Sequence, residues 1–474
     1  MVELVGEGAG AVTASPQRRQ RRTITAITVS VLLVAVASAM FTVGVFTLSN
    51  SEEGAAVEVD ERPRVALPVT PNAAMAVVDG DGLLASAVVM TLLPDGLGGS
   101  VVTVPVSSDT TAGFGEERVP LSEVFDPDDP EIFRSALESV LTLTIERVAI
   151  VDVDEFAELI APIESVQVVL PEDVVDSNAL GSGIIAQAGP QSLRRSLVAE
   201  SLASVNSEGA SYEHHDVDVA LWTALATTAP VVVPPPPVPV DDLGRALPPE
   251  TFEEFVARLW NGEVSVRDLA VYEPTPAENP TGADVVVIDR ADAVLVFAQV
   301  SPALMSTPNP GLTVRIEVPF TDEQLAVTGE FETSSELARD LVAELLFFQA
   351  NVVSVDTTPA PQGTSVVTEV EVAEERFLAD TEDAAPVLYG PSNVEVASTV
   401  IEGVDVVVRL GTGYLEHEAG GPSGDDPEGL DTEELDPAGD SDATDPSQSI
   451  PDETSPGGSS PAETTTSDTV DGDA

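Results

Sequence analysis

Four arginines, Arg18, Arg19, Arg21 and Arg22, stand directly before an uncharged run from Thr23 to Asn50. About 25 helical residues at roughly 1.5 Å each cover some 37 Å, enough to cross a hydrocarbon core of about 30 Å. The basic flank on one side, and Glu52 and Glu53 on the other, orient the N-terminus toward the cytoplasm. A secretory signal peptide is the competing reading, and Ala35-Val36-Ala37 has the form of a cleavage site. Apolar sequence continues well beyond it. The expectation is therefore an uncleaved single-pass anchor at residues 23–48, a cytoplasmic stub at 1–22, and the bulk of the chain outside the cytoplasm.

Charge narrows the class. The chain has 82 acidic residues against 19 basic ones, all of them arginine, for a formal charge of −63. Nucleic acid and anionic membrane surfaces both require local positive charge, so neither is an expected partner; contact with the membrane comes through the anchor. Residues 416–474 hold 18 acids, no arginine and no Phe, Trp or Tyr. Such a segment buries too little apolar area to offset its ordering entropy and is expected to be a disordered acidic tail. Cysteine is absent, which excludes disulfides, thiolate metal sites and thiol catalysis together.

Between stalk and tail the pattern is α/β. Residues 49–71 are acidic and Pro-punctuated, as a stalk above the membrane would be. Val-rich runs at Ser86–Leu93 and Ser100–Val106 flank PDGLGG, a strong hairpin-turn signal. Asp129, Pro130 and Glu131 open a helix. A strand at Arg147–Val153, a helix opened by Asp154 and a strand at Val166–Leu170 follow. Helices are expected at Gln191–Val205 and Asp216–Ala226, and a strand at Ala283–Phe297. VVVPPPPVPV stiffens 229–249, which reads as a Pro-rich loop within one domain, with a domain boundary as the alternative; Ser301–Gly311 is the clearer boundary. Beyond it come strands at Leu312–Val318, Val352–Val355, Thr364–Val372 and Val404–Gly411. A helix there carries the capping box Thr333–Glu336, with Asn351 as its left-handed stop. The fold class is thus α/β: an α/β sandwich at 72–306 and a small C-terminal α/β domain at 312–415.

The order of these pieces resembles the LytR-CpsA-Psr (LCP) family of cell-envelope proteins. Ser100–Thr110 sits where that family has a strand ending in Pro-Arg-Asp. Ile145–Val174 is similar to its strand–helix–strand unit, and Ala188–Leu202 to its "G-x-Q-x-L-x-G-x-x-A-L" helix. Leu312–Tyr414 looks like a LytR C-terminal domain. The resemblance implies transfer of glycopolymers from a polyprenyl-pyrophosphate carrier to peptidoglycan, with arginines on the pyrophosphate and aspartates on Mg²⁺. Bidentate arginine suits that clamp. The present chain departs from it. The Pro-Arg-Asp position reads Pro105-Val106-Ser107-Ser108-Asp109, and Ala203–Trp222, opposite the family's arginine-rich stretch, holds no arginine.

The candidate residues follow from these departures. Asp79, Asp81 and Asp109 are the weak catalytic or Mg²⁺ candidates; a DGDG turn accounts for the first two equally well. Arg194, Arg195, His214 and His215 are the ligand-binding candidates, with a solvated helix surface for the arginines and an exposed polar loop for the histidines as the plain readings. Asp152 and Asp154 read as a strand end and an N-cap. Val106→Arg is expected to leave folding intact. Three functions compete: a catalytically silent LCP-like binding or scaffolding module, an active Mg²⁺-dependent phosphotransferase with a relocated clamp, and an unrelated anchored sensor or structural protein. A cell-wall polymer or a polyprenyl-phosphate lipid is the expected partner of the first two.

Overall fold

The computed structural model describes residues 62–111, 117–176, 183–205, 212–229, 237–326, 331–360 and 363–420. The expected anchor at 23–48 and most of the acidic tail lie outside the described residues; among those described, no helix is long and apolar enough to cross a membrane.

The first sheet is built from β1 (Asn72–Val78), β2 (Leu84–Leu92), β3 (Gly99–Val104), β4 (Val148–Val151) and β7 (Val264–Arg267), in the order β7-β3-β2-β1-β4. The pairs β1–β2 and β2–β3 are antiparallel, while β4 and β7 add in parallel at the two edges. Every residue of β1, β2 and β3 is buried. Sheets covered on both faces read as continuous small-apolar runs rather than alternation, and NAAMAVV and LASAVVMTL are such runs. The PDGLGG turn holds β2 and β3 in register. Gly98 has φ 69°, and a Cβ on Gly99 would lie 1.8 Å from the Thr91 carbonyl oxygen, so neither position accepts a side chain.

One face of this sheet is covered by α2 (Val153–Leu159), α3 (Arg195–Leu202), α4 (Tyr212–Thr228) and α5 (Phe252–Trp260), with a hairpin of β5 (Ser165–Leu170) and β6 (Gly189–Arg194) beside them. Phe156, Trp222 and Trp260 pack there, the two indoles stacked at 6.4 Å. The other face carries α1 (Pro130–Leu141) and α6 (Arg290–Val300). Asp129 caps α1 by accepting from the Glu131 amide, with Pro130 at the first position, as the sequence predicts.

The second sheet contains β8 (Thr313–Glu317), β9 (Asn351–Asp356), β10 (Thr368–Val372), β11 (Ser392–Val396) and β12 (Val406–Arg409), ordered β9-β8-β12-β10-β11. The helices α7 (Ser334–Phe347), α8 (Leu378–Tyr389) and α9 (Thr412–Gly420) pack on it. One contiguous buried cluster runs from Ala74 and Val104 of the first sheet through α6 to Ile316 and Val408 of the second. The segment Ser301–Gly311 therefore carries the chain between sheets without interrupting the core.

Several expectations are corrected. Ala283–Phe297, read as a strand, is a two-residue strand at Val287–Ile288 followed by α6, whose N-cap Asp289 accepts from the Ala291 and Asp292 amides. A helix buried on nearly all sides lacks the amphipathic period that marks surface helices. Gln191–Val205 begins as β6, drawn into antiparallel pairing with β5, and turns helical only at Arg195. The helix expected to open at Asp154 is capped instead by Asp152, in a capping box with Glu155. Thr333 caps α7 as expected, but Glu336 reaches back to the Glu332 amide, and the left-handed residue after α7 is Gln349 rather than Asn351. Helix α9 continues to Gly420, past the Glu416 start expected for the tail. The described end of the stalk is attached to the fold as well. Arg64–Val65 pairs in parallel with Val400–Ile401, and Arg62 donates to the Ala397 and Ala373 carbonyls at 2.8 and 2.6 Å.

Candidate functional site

Strands β1, β3, β4 and β7 all run the same way, so their carboxyl ends emerge at one edge of the first sheet. That edge is where open α/β sheets place ligands. It brings together Asp79 after β1, Pro105–Asp109 after β3 and Asp268 after β7. Helix α4 lies across the face beside it and contributes His214, His215 and Asp218.

The pleat sorts the side chains. On β2 and β3, Val88, Met90 and Val101 face the α4 side, so Ser86 and Thr103 face it as well. Thr103 donates weakly to Asp268 Oδ1 at 3.3 Å, and His215 Nε2 meets the same oxygen at 2.7 Å. Burial opposes ionisation of Asp268, yet the hydrogen bond and charge of His215, with the Leu269 amide, hold its carboxyl below the usual range. One helical turn along, His214 Nε2 lies 3.8 Å from Asp218 Oδ1, and neither atom has a hydrogen-bond partner among the described residues. Burial, aided by the nearby charge of His215, pushes the His214 imidazole down to about 4. Burial pushes the Asp218 carboxyl well up. The adjoining Ser86 hydroxyl eases that shift without reaching hydrogen-bond geometry.

The strand end itself is largely buried. Val106 is 7% exposed and belongs to the core on the α1 and α6 side. Ser107 and Ser108 are buried, their hydroxyls without partners among the described residues, while their backbone carbonyls accept from Val286 and Leu121 at 3.0 and 2.8 Å. Asp109, whose side chain is 3% exposed, forms an ion pair with Arg118, and its other oxygen accepts from the Thr111 amide at 3.0 Å. Arg118 also donates from Nε to the Glu278 carbonyl at 3.1 Å.

The sequence candidates separate accordingly. His214 and His215, read as an exposed loop, occupy the first turns of α4 and are buried. Asp79 Oδ1 accepts from the Asp81 and Leu83 amides at 2.9 and 2.8 Å and closes the β1–β2 turn; Asp81 is exposed. Arg194 ends β6 exposed, and Arg195 opens α3 and donates to the Ala161 carbonyl at 2.9 Å. The Arg195 bond belongs to the corner between hairpin and helix. Sequence reasoning missed Asp218, Asp268 and Arg118. The spacing of His214 and Asp218, four apart on one helix face, was a usable signal. Asp268 arrives from a distant loop and left none; Arg118 lies nine residues after Asp109 on the far arm of the same loop, where no motif marks it.

The carboxylates that a magnesium ion would call on differ in what already holds them. Both oxygens of Asp109 are engaged, one by a guanidinium, whereas Asp79 accepts the turn amides through Oδ1 alone. Among the described residues no three carboxylate or imidazole groups converge as metal ligands do.

No protein-family model matches the chain, and no curated protein matches it. Solved structures that resemble it include B. subtilis TagV, with TM-score 0.34 and 12% identity over 51% of this chain and 100% of that one. The LytR-CPS2A-psr family protein YwtF (TagT), with bound octaprenyl pyrophosphate lipid, gives 0.33 and 12%, over 50% and 90%. A LytR-Csp2A-Psr enzyme from Actinomyces oris gives 0.32 and 15%, over 50% and 94%. At these identities and scores the likeness assigns no residue of the present chain a role.

Proposed function

We propose that this chain is a membrane-anchored, extracytoplasmic cell-envelope protein of LCP type that binds or scaffolds polyprenyl-linked cell-wall polymer without transferring phosphate. The observation that carries the reading is the state of the β3 strand end. Val106, Ser107 and Ser108 are buried where the resemblance calls for an exposed guanidinium, and the one that does arrive, Arg118, is held by Asp109 and the Glu278 carbonyl. A phosphate would have to displace an intramolecular carboxylate and leave it buried without its counter-ion, which costs on the order of 3–5 kcal/mol. Each charge-assisted bond to a phosphate returns about 1.5–3 kcal/mol, so one arginine does not open a large surplus.

A second reading, an active phosphotransferase with a relocated clamp, is favoured by the same arginine. Arg118 stands nine residues after Asp109 and reaches the position from the far arm of the same loop. Isothermal titration of the full chain with a polyprenyl pyrophosphate, with and without Mg²⁺, beside a glycopolymer-transfer assay, separates the two. Binding without turnover supports the silent module. Mg²⁺-dependent transfer that is lost in Arg118→Ala establishes the enzyme. Neither binding nor transfer points to an unrelated sensor or structural protein.

A further inference from the structure

We propose that the groove between α2 and α5 is a docking site for an extended cationic peptide segment of a partner protein, which adds to the first sheet alongside β4. Among the described residues, strand β4 is the outermost strand on its side and pairs only with β1. Because the Arg147 carbonyl accepts from the Ala74 amide at 2.8 Å, alternate peptide groups turn toward β1. Those of Val148 and Ile150 then face outward. Unpaired edges of this kind are usually covered, or blunted by proline, lysine or a bulge. Here the edge opens into a groove of about 590 Å³, within the roughly 300–1,000 Å³ range of ligand sites.

The lining states what would fit. Leu159, Phe252 and Trp260 give apolar walls, and Glu158 and Glu253 stand exposed at the rim. Among the described residues, no arginine lines the groove. Trp260 keeps its indole N–H buried without an acceptor among the described residues. Open backbone groups call for an extended peptide, apolar walls take every second side chain, and the carboxylate rim selects a basic one. With a net charge of −63, the chain's own acidic tail, or the acidic surface of a second copy, is repelled. The four residues of β4 span about 13 Å, enough for two or three backbone bonds.

The chain has two tryptophans, Trp222 and Trp260, stacked on each other beside this groove, so intrinsic fluorescence reports its occupancy. The full chain is titrated with a hexapeptide of alternating arginine and valine. Three controls accompany it: its glutamate–valine counterpart, an arginine peptide with proline at alternate positions, and farnesol. A saturable change with the first peptide alone is expected, weakened by salt. Glu158→Gln combined with Glu253→Gln should weaken it about 10-fold, since exposed carboxylates at the rim each add a small, salt-screened attraction for a cation. Several results would overturn the proposal: no saturable binding, equal binding of the proline or acidic peptide, or an unchanged affinity in the double variant. Saturation by farnesol with displacement of the arginine peptide would assign the groove to a lipid instead.

Discussion

His214 and Asp218 face each other one turn apart on α4, both largely buried, and their titrations pull stability in opposite directions. The imidazole has a folded value of about 4 against an ordinary 6.5. The unfolded chain takes up that proton first, so stability falls as pH drops from 6.5 to 4, by roughly 3 kcal/mol. Asp218 is raised above its ordinary 3.8. The folded chain keeps that proton, so its contribution is complete below 3.8 and declines as pH rises toward the folded value. His214→Gln should therefore flatten the acid limb of thermal stability, and Asp218→Asn should raise Tm relative to wild type near pH 8 but not near pH 4. Melting curves from pH 4 to 8 check both; parallel profiles for all three proteins would mean that the pair does not titrate as described. The same scale corrects the expectation for Val106→Arg. Val106 lies in the core, so the charge would be buried without a partner, at a cost on the order of 3–5 kcal/mol. Chemical denaturation should show the loss, and an unchanged midpoint would place Val106 at the surface. The residue types near the site were legible in the sequence. Their burial was not, because it depends on α4 lying over strands more than a hundred residues earlier.

Among the elements, α6 does the most to join the fold, and it is the one that sequence periodicity misjudged. Its residues Ala293–Ala298 are all buried, because α1 and the first sheet lie on one side and α7 and β9 on the other. An apolar run with no polar face is equally consistent with a central strand, and only the cap distinguishes them. Asp289 supplies that cap through two amides, at 2.9 and 3.3 Å. Asp289→Ala should cost about 1 kcal/mol. Since one core spans both sheets, the loss should appear as a shift of a single unfolding transition; a split into two transitions would show that the sheets unfold independently. The helix α1 and the β2–β3 hairpin were legible because their signals are local: a Pro–acid start, and glycines where a side chain would strike the opposite strand. The β6 strand was not, since its pairing with β5 is tertiary.

For the whole molecule, the balance between a compact core and a large negative charge sets the two remaining expectations. The arginine cluster before residue 23 predicts that a reporter fused after Ala474 is active only outside the cytoplasm. Activity confined to the cytoplasm would remove the envelope reading altogether. The second expectation concerns where the fold ends. Tyr414 and Leu415 are buried in the shared core, and α9 runs on to Gly420. His417 Nε2 lies 3.2 Å from the Val387 carbonyl of α8, and a Cβ on Gly390 would lie 2.8 Å from the His417 Cβ, so this turn is packed against the end of α8. Truncation after Leu415 leaves four residues of α9, too few for a stable turn once the α8 contact is gone. That truncation should lower Tm by several degrees. Truncation after Gly420 removes residues that are almost wholly polar and acidic, and at physiological salt, where screening acts over about 8 Å, it should leave Tm unchanged. Thermal denaturation of the two truncated chains beside the full one decides the matter. Equal loss in both would mean that the tail beyond Gly420 docks on the fold. No loss in either would mean that the last turn of α9 is dispensable despite its packing on α8.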